Sequence, residues 1–179
     1  MQLENQRALV TGGSSGIGRA VAAALVQAGC RVAINGRDEA RLRAAADELG
    51  CAAIPGDVGS EAAARRIVAT FARDHGGIDV LVNNAGFGRF APLVETELAD
   101  VEAVLRTNVV GAFLMGREAA RHMVAARSGT IVNVGSTAAL KGFQGGTAYA
   151  ASKFALRGMS ECWREELRRS DVRVILVNP

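Results

Sequence analysis

Tyr149 and Lys153 lie four residues apart in the sequence. On a helix, side chains at this spacing share one face, so a phenol and an ammonium would face the same site. The positive charge favours the phenolate, and the pair would then give or take a proton near neutral pH. Tyr149 is the only tyrosine, and Lys153 is one of two lysines among 21 basic residues. Taken alone, the same spacing is more often an ordinary amphipathic pair.

A glycine-rich turn is the second chemical feature. Residues 11–18 read Thr-Gly-Gly-Ser-Ser-Gly-Ile-Gly, between an apolar run and an alanine-rich helical pattern. Gly12, Gly16 and Gly18 let a strand turn sharply into a helix and keep side chains away from a ligand. The free N–H groups and the dipole of a helix N-terminus favour an anion such as a pyrophosphate. A tight strand-to-helix connection without a ligand is the alternative for this turn alone.

Polar side chains also follow the second and third predicted strands. Arg37 stands near the point where a carboxylate usually holds a free ribose 2′-hydroxyl, and no carboxylate is present. A 2′-phosphate, and hence NADP over NAD, is therefore favoured, although Arg37 can also be a solvated turn residue. Asp57, followed by Val58, can accept from an exocyclic amine such as that of adenine, or simply begin a loop.

Amides and a hydroxyl occur near the ends of the later elements. Asn83 and Asn84 follow the fourth strand and suit a turn whose side chains tie neighbouring strands together. Asn108 interrupts a helical stretch, where asparagine often competes for backbone hydrogen bonds and bends the helix. Ser136 follows the fifth strand, ahead of a glycine-rich loop that leads to Tyr149.

Short β-branched runs alternate with longer alanine- and leucine-rich segments, which is the pattern of a parallel sheet with helices on both faces. The sequence predicts strands at Arg7–Thr11, Arg31–Asn35, Ala52–Pro55, Asp79–Asn83, Thr130–Val134 and Val172–Val177. It predicts helices at Gly16–Ala28, Asp38–Leu49, Ser60–His75, Thr96–Thr107, Val109–Arg127 and Ala148–Arg169. We expect one α/β domain over residues 1–179, a doubly wound parallel sheet of six strands in three layers, with ligands beyond the carboxyl ends of the strands.

The composition limits the classes of partner. A chain of 179 residues with 49% hydrophobic content suits one packed domain. Three scattered cysteines and two separated histidines predict neither a disulfide framework nor a metal site. The net charge of +3, with both signs alternating along helices, indicates solvated faces and no nucleic-acid groove. A polar N-terminus and the lack of a membrane-length apolar run lead us to expect a cytoplasmic protein without a membrane partner.

Together these motifs resemble the short-chain dehydrogenases/reductases. The resemblance rests on TG-x-x-x-GIG at residues 11–18, Asn-Asn-Ala-Gly at residues 83–86, Asn108, Ser136 and Tyr149-x-x-x-Lys153, in the family's order and spacing over the whole chain. Within the family the chain looks like the bacterial 3-oxoacyl-carrier-protein reductase type and its many paralogues. The resemblance implies a Rossmann-type fold and an oxidoreductase that transfers a hydride between a nicotinamide cofactor and a small carbonyl or alcohol substrate.

The resemblance also implies a role for each motif residue. Tyr149 would be the general acid or base, Lys153 would hold the nicotinamide ribose, and Ser136 would bond the substrate oxygen. Asn108, through its helix break, would hold a water that relays protons to Lys153. The phosphates and the adenosine of the cofactor would contact Gly12, Ser14, Ser15, Gly16, Ile17, Gly18, Asp57, Val58 and Asn84.

The family's Asn-Pro, here residues 178–179, is normally followed by Gly, by a mobile loop and helices that cover the substrate, and by a further strand. The resemblance therefore leads us to expect a C-terminally truncated domain with impaired turnover. A homo-oligomer through the long helices is expected for the full-length protein. The alternative function is a non-catalytic dinucleotide-binding sensor or interaction protein, against which the set of Ser136, Tyr149 and Lys153 favours the enzyme.

Overall fold

The computed structural model describes residues 3–179 as a parallel six-stranded sheet with helices packed against it. The strands are β1 Arg7–Thr11, β2 Arg31–Gly36, β3 Ala52–Pro55, β4 Val80–Asn83, β5 Gly129–Val134 and β6 Val172–Val177. The helices are α1 Gly16–Gln27, α2 Glu39–Leu49, α3 Glu61–His75, α4 Leu98–Leu105, α5 Ala112–Ala126 and α6 Thr147–Leu167. The sheet order is β3-β2-β1-β4-β5-β6, which confirms the predicted doubly wound fold. None of the helices in this part of the chain is long and apolar enough to cross a membrane.

Apolar side chains cover both faces of the sheet. One core cluster packs strand residues such as Leu9 and Ile131 against α3 and α5. The other packs Val10 and Ile34 against α1 and α2. Central strands buried on both faces need continuous apolar runs, which explains why these strands were readable in the sequence.

Capping residues set the ends of α2 and α3. The Asp38 carboxylate and the Ser60 hydroxyl each accept a backbone N–H from the first turn of the helix that follows. Both helices end at a glycine in the left-handed region, Gly50 at φ 66° and Gly76 at φ 76°. Asp and Ser are preferred at helix N-caps and Gly at C-caps, which is why these helix ends can be recognised in the sequence.

The regular α-helix is interrupted around Asn108 as predicted, but the prediction of two separate helices on either side of it is wrong. Arg106–Gly111 form a π-helical segment between α4 and α5, so the backbone stays helical through Asn108. A π turn takes an additional residue into a continuous helix, and the Asn108 side chain bonds to Phe87 in the loop after β4.

α4 begins at Leu98, later than the predicted Thr96, because Leu93–Glu95 form a separate 3₁₀ turn.

β6 forms one edge of the sheet, and β5 is the strand it pairs with in the described residues. The sequence suggests burial on both faces of this strand. Val172 and Val174 are buried, whereas Arg173 and Val177 are exposed. The strand is less buried than predicted because it lies at the edge, where α6 is the principal helix packed against it.

Gly18 lies in the first turn of α1, close to the turn between β1 and α1. A Cβ at Gly18 would overlap the Gly12 carbonyl oxygen and the Asn84 side-chain amide. Gly158, in the middle of α6, has no heavy atom within 4 Å of its Cβ position. The two helical glycines thus differ in whether a side chain fits.

Gly18→Ala is expected to lower the free energy of unfolding by about 1–3 kcal/mol, because the methyl group forces the β1–α1 turn and Asn84 apart. Gly158→Ala is the matched control and should raise it by about 1 kcal/mol through helix propensity. Urea unfolding measures both. Equal effects of the two substitutions would show that Gly18 is not required by packing.

Candidate active site

A cleft of about 810 Å³ lies beyond the carboxyl ends of the strands. The strand order reverses between β1 and β4, which is where ligands bind in doubly wound sheets. Two of the predicted site residues, Gly18 and Asn108, are not part of its lining. The others all line it: Gly12, Ser14, Ser15, Gly16, Ile17, Arg37, Asp57, Val58, Asn84, Ser136, Tyr149 and Lys153.

Thr11 and Asn84 tie the β1–α1 turn to the end of β4. The Thr11 hydroxyl donates to the Val82 carbonyl at 3.2 Å and accepts the N–H groups of Asn84 and Ala85, each at 3.0 Å. The Asn84 Nδ2 donates to the carbonyls of Thr11 and Gly12 at 3.0 and 3.2 Å. Asn84 therefore lines the cleft and also holds the glycine-rich turn in shape.

The N-terminus of α1 turns backbone donors toward the cleft. Ser15 is the N-cap residue, and its side chain makes no capping hydrogen bond. Ser15, Gly16 and Ile17 are exposed. Gly12 and Gly16 have φ angles of 64° and 55°, and a Cβ at Gly12 would lie 2.9 Å from the Ala85 backbone. A pyrophosphate fits this cradle, since the N–H groups and the helix dipole both favour negative charge.

Two arginines flank the end of β2. Arg37 and Arg41 are both exposed and both line the cleft, as does Ser14. Asp57 is the one carboxylate among the described residues that line the cleft. Arg41 was not predicted, although its spacing of four residues from Arg37 is visible in the sequence. This end of the cleft therefore suits a doubly charged phosphate.

Asp57 and Val58 follow β3 on the same side of the cleft. One carboxylate oxygen of Asp57 accepts the N–H of Gly59 at 2.9 Å, which is the bond of a loop-starting aspartate. Asp57 is exposed, whereas Val58 is buried and forms part of the cleft wall. The loop role and the ligand role that the sequence left open for Asp57 are therefore compatible.

The Lys153 ammonium is buried beside the phenol. Its Nζ donates to the Val134 carbonyl at 2.8 Å and lies 5.6 Å from the centroid of the Tyr149 ring. Lys153 is only 6% exposed. Burial lowers the pKa of Lys153 from 10.5 to about 8. An ammonium has three N–H donors and Val134 takes one, so donors are left for a ligand in the cleft.

Ser136 begins the 3₁₀ turn Thr137–Ala139 that follows β5. Its Oγ accepts the N–H of Ala138 at 3.1 Å, so the hydroxyl hydrogen can be donated to another group. The N–H of Ser136 donates to Asn178 Oδ1 at 3.0 Å. Asn178, which follows β6, thus helps to fix the Ser136 backbone, a role that its sequence position alone does not reveal.

Asn108 joins the loop after β4 to α6. Its Oδ1 accepts the N–H of Phe87 at 3.0 Å, and its Nδ2 donates to the Phe87 carbonyl at 2.9 Å and to Ser152 Oγ at 3.0 Å. Ser152 Oγ donates in turn to the Tyr149 carbonyl at 2.7 Å. The side chain of Asn108 is therefore engaged with protein groups, and the water relay predicted for this position stays a prediction.

The family model described as short chain dehydrogenase matches residues 6–179. Over 172 residues the chain is 40% identical to the 3-oxoacyl-acyl-carrier-protein reductase of Bos taurus, and the match covers 95% of this chain and 73% of that protein. The chain belongs to the short chain dehydrogenase family.

One further sequence relative and one solved structure are similar to this short chain dehydrogenase. It is 35% identical over 186 residues to the 3-oxoacyl-acyl-carrier-protein reductase FabG of Thermotoga maritima, over 100% of this chain and 75% of that protein. It superposes with a TM-score of 0.95 on the crystal structure of a putative gluconate dehydrogenase from Agrobacterium tumefaciens, at 34% identity, covering 99% of this chain and 72% of that one. The reductase relatives confirm the predicted branch of the family.

Short chain dehydrogenases bind a nicotinamide dinucleotide and act on a CH–OH/C=O pair, which fits the phosphate cradle and the phenol found in one cleft. Residues 3–179 contain no group of three His, Cys, Asp or Glu side chains that could hold a metal ion.

Phe90 also lines the cleft, and its ring centroid lies 5.7 Å from that of Tyr149. No local pattern in the sequence marks Phe90, because its contact with Tyr149 joins distant segments.

The buried ammonium of this short chain dehydrogenase predicts a pH-dependent stability. The folded-state pKa of Lys153 is below its ordinary value, so the unfolded chain binds more protons between pH 8 and 10.5. The contribution of this group to the free energy of unfolding therefore rises with pH across that window. Lys153→Met should remove the rise, whereas Lys141→Met, which removes an exposed ammonium, should retain it.

Urea unfolding of the ligand-free protein at several pH values measures this contribution. Parallel pH profiles for the wild type and Lys153→Met would show that the ammonium does not titrate in this window.

Proposed function

We propose that the protein is an NADP-dependent oxidoreductase that interconverts a small carbonyl compound and its alcohol, with Tyr149 as general acid or base. The supporting observation is that Ser136, Tyr149 and Lys153 line the same cleft as the glycine-rich turn. Binding a dinucleotide requires no buried ammonium next to a phenol, so this set favours an enzyme over a non-catalytic sensor.

The cleft residues fit a dinucleotide along their length. The pyrophosphate would lie on the N–H groups of the first turn of α1, where Ser15 and Ile17 are exposed. Adenine would lie against Val58 with Asp57 as acceptor, and Lys153 would hold the nicotinamide ribose hydroxyls. The bound cofactor supplies or accepts the hydride, and the protein supplies the position and the proton.

Three side chains would handle the proton and the substrate oxygen. Tyr149 would give its hydroxyl proton to that oxygen during reduction and take it back during oxidation. The Lys153 ammonium would lie beside the reacting groups, since its Nζ is 5.6 Å from the ring centroid of Tyr149. The Ser136 hydroxyl would donate to the same oxygen and fix its position, since its own oxygen already accepts from Ala138.

The preference for NADP over NAD rests on charge at the end of β2. The guanidinium groups of Arg37 and Arg41 can pair with a ribose 2′-phosphate. NAD would instead need a carboxylate for its free 2′-hydroxyl. Asn35 is no substitute, because it carries no charge and is buried, with its Nδ2 donating to the carbonyls of Ile54 and Gly56 at 2.9 and 3.1 Å.

The extent of the domain, a homo-oligomer and a cytoplasmic location stay predictions from the sequence. The exposed Phe113 and Val124 on α5 support association through the long helices.

Arg37→Ala combined with Arg41→Ala should weaken NADP binding by about tenfold or more, because charged hydrogen bonds to the 2′-phosphate are lost. NAD binding should change little. Arg43→Ala is the control, since Arg43 is exposed on the same helix, pairs with Glu39 and does not line the cleft. Calorimetric titration of the three proteins with each dinucleotide measures the six affinities, and equal losses for NADP and NAD in the double variant would refute the 2′-phosphate site.

Tyr149→Phe should lower kcat for ketone reduction by about 10²–10⁴-fold, because the proton donor is removed. The affinity for NADPH should be almost unchanged, since the phosphate cradle and both arginines are intact. The rate of NADPH oxidation and an equilibrium titration measure the two effects. A Tyr149→Phe variant that retains the wild-type rate would mean that another group supplies the proton.

A further inference from the structure

Phe90 and Phe143 form an exposed aromatic surface beside the Tyr149 phenol, here named the aromatic wall. Their ring centroids lie 5.9 Å apart, and the Phe90 ring meets the Tyr149 ring edge-on at 5.7 Å. Phe90 is 62% exposed and Phe143 is 49% exposed. The wall therefore continues the catalytic cleft outward from the phenol.

Two loops hold the aromatic wall in place. The first loop follows β4, the second follows β5, and the N–H of Ala91 donates to the Gly145 carbonyl at 3.0 Å to join them. Gly88 and Gly146 leave the space that the two rings occupy, because a Cβ at either position would overlap a ring of the wall. The loops thus accommodate two large rings at the surface of the cleft.

A substrate carbonyl must lie about 3 Å from the Tyr149 hydroxyl to exchange a proton with it. A group attached to that carbonyl then reaches Phe90, whose ring already contacts the Tyr149 ring. Aromatic rings attract at centroid separations of about 4.5–7 Å, in edge-on or offset arrangements. The nearby Arg89 is engaged elsewhere, with Asp100 at 3.5 Å and over the Phe87 ring.

We propose that the aromatic wall selects carbonyl and alcohol substrates with an aromatic ring on, or next to, the carbonyl carbon. Phe90 and Phe143 are the specificity-determining residues. The ring of the substrate covers apolar surface that otherwise faces water, and it stacks on Phe90 and Phe143. This inference rests on the proposed carbonyl/alcohol activity and names its substrate class.

The test compares NADPH-dependent reduction of acetophenone with that of 2-butanone. The wild type should prefer acetophenone in kcat/KM by about tenfold or more. Phe143→Ala should lower this preference by about tenfold, mainly through KM, because Phe143 pairs with Phe90 and is not among the residues that line the cleft around Tyr149. Phe90→Ala should lower the preference for acetophenone through both kcat and KM, since the Phe90 ring packs on Tyr149.

Phe154→Ala is the matched control. Phe154 is 45% exposed on α6 and does not line the cleft, so its removal should leave the preference as in the wild type. A wild type that reduces both ketones equally well, or a preference that survives Phe143→Ala, would overturn the aromatic selection while the proposed function stands. Failure to reduce either ketone, or any other carbonyl, would overturn the proposed function and this inference with it.

Discussion

The burial of the Lys153 ammonium against the last residue of β5 is the contact on which the site depends. A buried charge is costly unless it is hydrogen-bonded, and the Val134 carbonyl at 2.8 Å provides the bond. That bond joins α6 to β5, as does the bond from Asn133 Nδ2 to Ser160 Oγ at 2.8 Å. Tyr149 lies one helical turn before Lys153, and Ser136 follows Val134 by two residues, so the contact of Lys153 with the end of β5 accompanies the meeting of three reactive groups in one cleft.

The cleft has two halves built by different parts of the chain. The cofactor half is the turn between β1 and α1, which Thr11 and Asn84 hold against the end of β4. The reactive half is the end of β5 and the start of α6. Asn108 bonds to both sides, to the Phe87 backbone in the loop after β4 and to Ser152 on α6. The π segment that carries Asn108 therefore joins the loop after β4 to the start of α6.

The sheet, its strand boundaries and the glycine-rich turn could be predicted from the sequence, because each has a local pattern of apolar runs, caps and glycines. The pairing of Tyr149 with Lys153 was visible because helix geometry converts their spacing into proximity. The π segment, Arg41 as a cleft residue and the aromatic wall were not predicted. The aromatic wall depends on contacts between segments far apart in the sequence, as when Phe90 meets Tyr149, and such contacts leave no local signature.

A crystal structure of the protein with bound NADP tests the central claim most directly. The account predicts the pyrophosphate on the N-terminus of α1 and the 2′-phosphate between Arg37 and Arg41. It predicts the nicotinamide ring facing the Tyr149 hydroxyl, with Lys153 on the adjoining ribose. A dinucleotide bound outside this cleft, or a Tyr149 hydroxyl that points away from the nicotinamide, would contradict it.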